Sequence, residues 1–335
     1  MSIATDSANL VAPSNLAEVL DAINRDHSKL ASRMIAVTAP LDSTLKRTTI
    51  RAHYLSFQEH EPMVLEFVQA IANKLVSFCF SNAHLKAAYA SMSGLDDDAR
   101  QEASSQLFME ATDLFIKAQK NTKRSGEFGE LIAYLLMEWV IGAPQVVAKL
   151  SLKTNPDMPV YGSDGIHLKY DAAADRLLVY FGESKSYERV TAAIKDAVTS
   201  VATALAPEKV RHELLLVRQQ FDLACMPAEA REPILEFLNP LSAAAQKRET
   251  VAVIFIAFDF KGFSALKALE LDEVAPAFEA ALVAALAKHT KTLEVELKAA
   301  GIDHRRIEAF FLPVPKVADL RRAFHHRIGW KADAS

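Results

Sequence analysis

The stretch Leu177–Tyr187, LLVYFGESKSY, decides how this chain folds. Leu177 to Phe181 form an unbroken apolar run, the mark of a strand buried on both faces. At Gly182 the character changes, and the segment ends in a carboxylate and an ammonium. With a strand's period of two, Glu183 and Lys185 point to one face, while Gly182 and Ser184 point to the other. Neither a Glu nor a Lys belongs unpaired at the end of an apolar strand. The segment therefore calls for a partner: a plain ion pair at the surface, or a divalent cation with an anionic substrate.

Working outward, GSDGIHLKY (162–170) sets Asp164 in a Gly-flanked turn that opens an earlier strand, Asp164 to Tyr170. Before it, GEFGELIAYLL (126–136) begins a helix expected over Glu127 to Ile141. That helix stops at Gly142, with Pro144 just beyond. Glu127 and Glu130 are three apart on it and share a face. A short strand is expected over Val146 to Leu152. Downstream, Val190, Ile194, Val198, Val201 and Leu205 give one side of a helix that ends at Pro207, with Ser186 as its cap and Tyr187 opening it. Val251 to Phe260, VAVIFIAFDF, reads as a second fully buried strand. A helix (Val274 to Ala299), a strand near Phe310 to Val314 and a terminal helix follow. Helix, three strands, helix, strand is the order of a layered α/β domain.

The first hundred or so residues read as helical. Val64, Phe67, Val68, Ile71, Leu75 and Phe78 recur at helical spacing between Phe57 and Phe80. Asp96, Asp97 and Asp98 are read as a helix start, where acids suit the dipole, rather than as a metal site. The basic linker QKNTKRS (119–125) is the expected boundary between a mainly helical N-terminal region, 1–122, and a second domain, 123–335.

Composition narrows the function classes. The chain has 335 residues, 50% hydrophobic and 24% charged, which supplies a sizeable core and excludes wholesale disorder. Cys79 and Cys225 are the two cysteines, too few for a disulfide scaffold or a Cys-rich zinc site, and they fit a reducing compartment. The net charge of −4 argues against a protein that grips nucleic acid by bulk positive charge. No GxxxxGK[ST], HExxH, CxxC or GxSxG motif occurs. The N-terminus lacks the pattern of a signal peptide, and Val251 to Phe258 is too short to span a bilayer. A cytoplasmic protein with no membrane partner is expected.

Asp164 and Glu183 offer hard oxygen ligands suited to Mg²⁺, with Mn²⁺ as the alternative. Lys185 beside such an ion can orient the attacking water and stabilise developing negative charge; direct action as a base requires a strong downward pKa shift. His167 is out of phase with Asp164 along its strand and falls outside the ligand set. Glu-x-Lys alone carries little information, and Glu296-Leu297-Lys298 is a second match in a helix. The ordered set does carry information. Glu130 on the leading helix, Asp164 in its turn, then Glu183-Ser184-Lys185 resembles the PD-(D/E)xK nuclease signature, with Ser163 in place of the usual Pro.

More narrowly, GEFGELIAYLL, GSDGIHLKY, LLVYFGESKSY and the late FFLPVPKVADLRRAF (310–324) resemble the HamA family, nuclease subunits of the Hachiman anti-phage system. This resemblance implies a restriction-endonuclease-like core with a mixed central sheet flanked by helices. It implies a metal-dependent DNA endonuclease in which Asp164, Glu183, Glu130 and the Ser184 carbonyl hold metal and Lys185 positions the water. It favours Glu130 over Glu127 as the helix acid. It also implies antiviral defence with a helicase subunit resembling HamB. The alternatives are a stand-alone restriction, repair or RNA nuclease, and a non-catalytic adaptor that retains the fold.

Overall fold

The structure is a computed structural model that describes residues 13–122, 126–148, 150, 164–220 and 226–330. Its strands are β1 (Met34–Ala36), β2 (Thr48–Leu55), β3 (Phe57–Gln58), β4 (Glu61–Pro62), β5 (Gln145–Val147), β6 (Gly165–Asp171), β7 (Arg176–Tyr187), β8 (Arg248–Asp259) and β9 (Arg306–Val314). Its helices are α1 (Pro13–Ile23), α2 (Val64–Ala72), α3 (Leu75–Cys79), α4 (Asn82–Met92), α5 (Asp97–Thr122) and α6 (Glu127–Leu136), then α7 (Val190–Ala204), α8 (Pro207–Gln220), α9 (Ala228–Leu238), α10 (Val274–Ala299) and α11 (Val317–Arg327).

Seven strands form one mixed sheet in the order β1-β2-β9-β8-β7-β6-β5. The pairs β2–β9, β9–β8 and β8–β7 are parallel, while β7–β6, β6–β5 and β1–β2 are antiparallel. Apolar side chains divide by strand period into two cores, one on each face. Leu177, Val179 and Phe181 of β7 join Ala252, Ile254, Ile256 and Phe258 of β8 under α7 and α10. Leu178 and Tyr180 join Val251, Val253, Phe255 and Ala257 under α2, α3, α5, α6 and α11. Burial on both sides is why β7 and β8 read as continuous apolar runs.

The run after α6 ends as its sequence indicates. Met137–Ile141 forms a π turn, Gly142 takes the left-handed conformation (φ 72°), and Ala143 N donates back to Met137 O at 3.0 Å. Asp96 does open a helix: its Oδ1 accepts from Ala99 N at 2.8 Å ahead of α5. Among the described residues, no helix is long and apolar enough to cross a membrane.

Residues 13–122 are not helical throughout. They contribute β1 and β2 to the central sheet, and β2 pairs in parallel with β9 from Thr48↔Ile307 to Ala52↔Phe311. Residues on both sides of position 122 thus build one sheet. The segment from Phe57 to Phe80 opens as β3 and β4 before α2 and α3 begin. β2 was hidden because one of its faces carries Arg51 and His53, which break the apolar pattern. Arg51 pairs there with Glu308 of β9, and His53 stacks near Phe310 and Trp139. Cys79 is a small buried residue, as its surroundings in the sequence imply; Cys225, Gly162, Ser163 and residues 123–125 of the linker lie outside the described residues.

Candidate active site

The end of β7 changes partners at the position where its sequence changes character. On the β8 side the ladder continues through Glu183↔Ile254 and Lys185↔Ile256. On the β6 side it stops at Gly165↔Gly182. The next free donor of β7, the Ser184 N–H, goes to a side chain instead. Asp164 Oδ2 accepts from Ser184 N at 2.8 Å and from Ser184 Oγ at 3.1 Å, while Asp164 N donates to Gly182 O at 2.7 Å. Asp164 therefore completes the ladder with its carboxylate, which fixes it beside Glu183 and Lys185.

Glu183 is 9% exposed, and Lys185 Nζ donates to its Oε1 at 2.5 Å. Val201, Ala204 and Leu205, at the end of α7, lie beside it. Burial, then the charge of Asp164, pushes the Glu183 pKa up to about 7 against the pull of Lys185 and Ser200. For Lys185, burial works against the charged form, but the carboxylates of Glu183 and Asp164 outweigh it and hold the pKa above the ordinary lysine value. Lys185 thus stands as an ammonium, suited to donating hydrogen bonds and balancing charge. The downward shift that a base would need is absent.

On the other side of β7, Ser184 and Ser186 meet α6 at Gly129. A Cβ there would lie 2.9 Å from Ser186 Oγ and 3.1 Å from Ser184 Oγ, so only glycine lets the helix come this close. Glu130, buried on the next residue, turns its Oε1 to 3.7 Å from where a Cβ on Gly126 would sit. That is the start of the helix, where the dipole favours a carboxylate. Glu127 is buried as well and raises the Arg321 pKa against burial, which lowers it; Arg321 Nη2 donates to Ser186 O at 3.1 Å.

The structure brings Asp164, Glu183, Ser184 and Lys185 together. Among the described residues no group of three or more His, Cys, Asp or Glu side chains is arranged to hold a metal, so Glu130 does not join Asp164 and Glu183 in one ligand group. Magnesium is ordinarily held by one or two carboxylates, with waters and substrate phosphate completing its shell. Two adjacent carboxylates, one of them pushed towards neutrality by burial and then by the charge of the other, are a donor set that such an ion fits.

One reading around the site changes, and the exclusion of His167 from the ligands gains a reason. Ser186 and Tyr187 end β7 rather than open α7, whose N-cap position is Arg189, with no side-chain capping bond. His167 is fully buried with Nδ1 2.7 Å from Ala143 O, and burial lowers its pKa to about 4, so it is a structural residue. One feature went unread. Glu138, in the π turn, is bonded by His27 Nε2 at 2.7 Å and by Gln145 N at 2.9 Å, with Arg25 at 3.7 Å.

A search of curated proteins returns no match. A family model does match: that of HamA, over residues 33–328, which takes in β2, β6 to β9 and every described residue of the site. The chain belongs to the HamA family of the Hachiman defence system.

Proposed function

We propose that this HamA-family chain is a metal-dependent nuclease with a PD-(D/E)xK core, which hydrolyses phosphodiester bonds of DNA as the effector of anti-phage defence. One observation supports this above all: Asp164, Glu183 and Lys185 converge at the end of a strand whose preceding run, Leu177–Phe181, is apolar and buried. An ordinary ion pair would explain Glu183 and Lys185, but not a second carboxylate set beside a glutamate already pushed towards neutrality.

In this reading Asp164 and Glu183 would hold the ion, with the Ser184 carbonyl as a further ligand by family resemblance, while Glu130 stays outside their group. A bound Mg²⁺ supplies Lewis-acid stabilisation of charge on the phosphodiester. Lys185, kept protonated by the two carboxylates, orients the attacking water and meets negative charge as it develops. The hydrogen bonds from Ser184 fix Asp164 before substrate arrives, which removes a reorganisation cost from the reaction. The net charge of −4 supports an arrangement in which a helicase subunit resembling HamB supplies most of the affinity for DNA.

The test is cleavage of plasmid DNA and of RNA in Mg²⁺, with and without the helicase subunit. DNA cleavage is expected, and Glu183→Gln and Lys185→Ala should each reduce it by about 10²-fold or more. Full activity in both variants would overturn the assignment. Cleavage of RNA alone would move the substrate to the second class. No cleavage under any condition would leave the adaptor reading in its place.

A further inference from the structure

A cleft of about 620 Å³ opens on the face of the sheet that α6 covers, away from the carboxylate pair. Two short polar stripes form its walls. One is the 3₁₀ turn Ser28–Ser32 with Arg33 directly after it, and the other is the outer face of α2. In α2 the buried positions are Phe67, Val68, Ile71 and Ala72, so helical spacing turns Glu66, Gln69 and Asn73 outward. Lys29, Ser32 and Arg33 line the cleft from the turn, beside the buried Leu30. Lys74 lines it too: its Nζ donates to Asp26 O at 2.9 Å, which leaves two of its three N–H groups.

The charge on this lining is unbalanced. Lys29, Arg33 and Lys74 stand against one carboxylate, Glu66. Among the described residues, neither the Lys29 ammonium nor the Arg33 guanidinium has a protein acceptor, and Arg33 is half-buried. A guanidinium in that position is satisfied by a bound anion. Burial lowers the Lys74 pKa, and Asp26 does not make up the loss. Ser32, Gln69 and Asn73 add hydroxyl and amide donors of the kind that meet phosphate oxygens. Among the described residues that line the cleft none is aromatic, and Leu30 and Ala70 are the apolar ones. Recognition of a base ordinarily uses an aromatic or broad apolar face. Cations and donors without such a face are the equipment for backbone phosphates.

The cleft is separate from the candidate active site. α6 meets Ser184 and Ser186 at Gly129, and the same run carries Glu138 about 13 Å further along its axis. His27 bonds Glu138 there, and Asp26, whose carbonyl holds Lys74, is the residue before it. A nucleic-acid strand rises about 3.4 Å per nucleotide, so about four nucleotides cover that length of helix. Resting on the nucleic-acid reading of the active site, we propose that this cleft is a second anion site, which holds backbone phosphates of nucleic acid through Lys29, Arg33 and Lys74 whatever the base sequence. Three cations make a weak grip, in keeping with a net charge of −4. The cleft thus sets where a delivered strand lies and does not replace the helicase subunit.

The experiment is fluorescence anisotropy on the full chain with labelled oligothymidylate and oligodeoxyadenylate of about 16 nucleotides, in a chelating buffer over rising salt. Three variants accompany the parent: Lys29→Gln/Arg33→Gln, Glu66→Gln and, as a control for bulk charge, Lys288→Gln/Lys291→Gln. The control pair is exposed on α10, which packs on the other face of the sheet. Lys29→Gln/Arg33→Gln is expected to melt like the parent and bind both oligonucleotides about 10-fold more weakly, with the salt slope reduced by about 1.4. Glu66→Gln should tighten binding about 3-fold, and the control pair should change it less than about 2-fold. Parent-like binding by Lys29→Gln/Arg33→Gln, an equal loss in the control pair, or no binding by the parent at low salt would overturn the proposal. Displacement by equimolar thymidine monophosphate would overturn it as well, because the phosphate would then be that of a free nucleotide. Cleavage by the parent in Mg²⁺ reads the active site separately. Its absence, with cleft-dependent binding intact, would remove the nuclease reading and support the cleft alone.

Discussion

Glu138 and Glu183 are two buried glutamates at opposite ends of one helical run: α6 begins against the strand end that carries Glu183 and ends in the π turn that carries Glu138. Their environments differ in the sign of what surrounds them. Around Glu138, burial raises the pKa, but the His27 hydrogen bond, the charges of Arg25 and His167 and the Gln145 N–H more than reverse it, and the carboxyl sits below its ordinary value. Around Glu183, burial is reinforced by a second carboxylate and only partly answered by Lys185 and Ser200. The first glutamate is fully compensated by fixed partners and belongs to the architecture. The second is left short of positive charge, a deficit that the proposed metal ion would relieve.

The sharpest way to break this contrast is to neutralise each glutamate in metal-free protein. Glu138→Gln strands Arg25 and His27 and should cost about 3 kcal/mol in urea unfolding, the low end for breaking a buried pair. The low end applies because Arg25 keeps its bonds to Ser77 O and Tyr134 Oη, each 2.7 Å. Glu183→Gln at pH 8 should leave stability equal to or above the parent while removing cleavage. A large loss of stability there would make Glu183 structural too, and the contrast would disappear.

A smaller effect of the same origin lies in the pH dependence. The folded pKa of Glu138 is lowered, so its contribution is present above the unfolded value of about 4.3 and is lost as pH falls through the folded one. Glu183 has the opposite sign. Its folded pKa is raised, so metal-free protein should lose stability as pH climbs from about 4.3 towards 7, and Glu183→Gln should flatten that limb. Melting curves in a chelating buffer across this range would check both. Smallest of all, Gly129→Ala should cost about 1 kcal/mol by pushing α6 off Ser184 and Ser186; an unchanged melting temperature would show that the helix seats loosely on the strand.

The two glutamates also differ in how legible they were. Glu183 stood out because an acid and a base end a run of five apolar residues, and its partners Lys185 and Asp164 are close in sequence. Glu138 lies within an apolar helical run, and its main partner, His27, lies 111 residues upstream, so no local pattern could flag it. The same distance rule governs the fold. β7 and β8 are buried on both faces and declare themselves. β2 carries Arg51 and His53 towards partners on β9 and elsewhere, and it looks unlike a strand until those partners are known.

The parallel pairing of β2 with β9 has a consequence for how the molecule comes into being. Thr48 waits for Ile307, and Arg306–Val314 is synthesised after the six other strands of this sheet. β6, β7 and β8 can pair earlier, but β8 then carries a bare edge that only β9 covers, and β1 and β2 have no route into the sheet without it. Pairing over such separations is slow, because loop closure must come before the contacts that reward it. A chain interrupted before Arg306 therefore bears its acid pair on an open sheet, exposed to chaperones and proteases. Synthesis of β9 is the first checkpoint on this fold, ahead of any partner or ion.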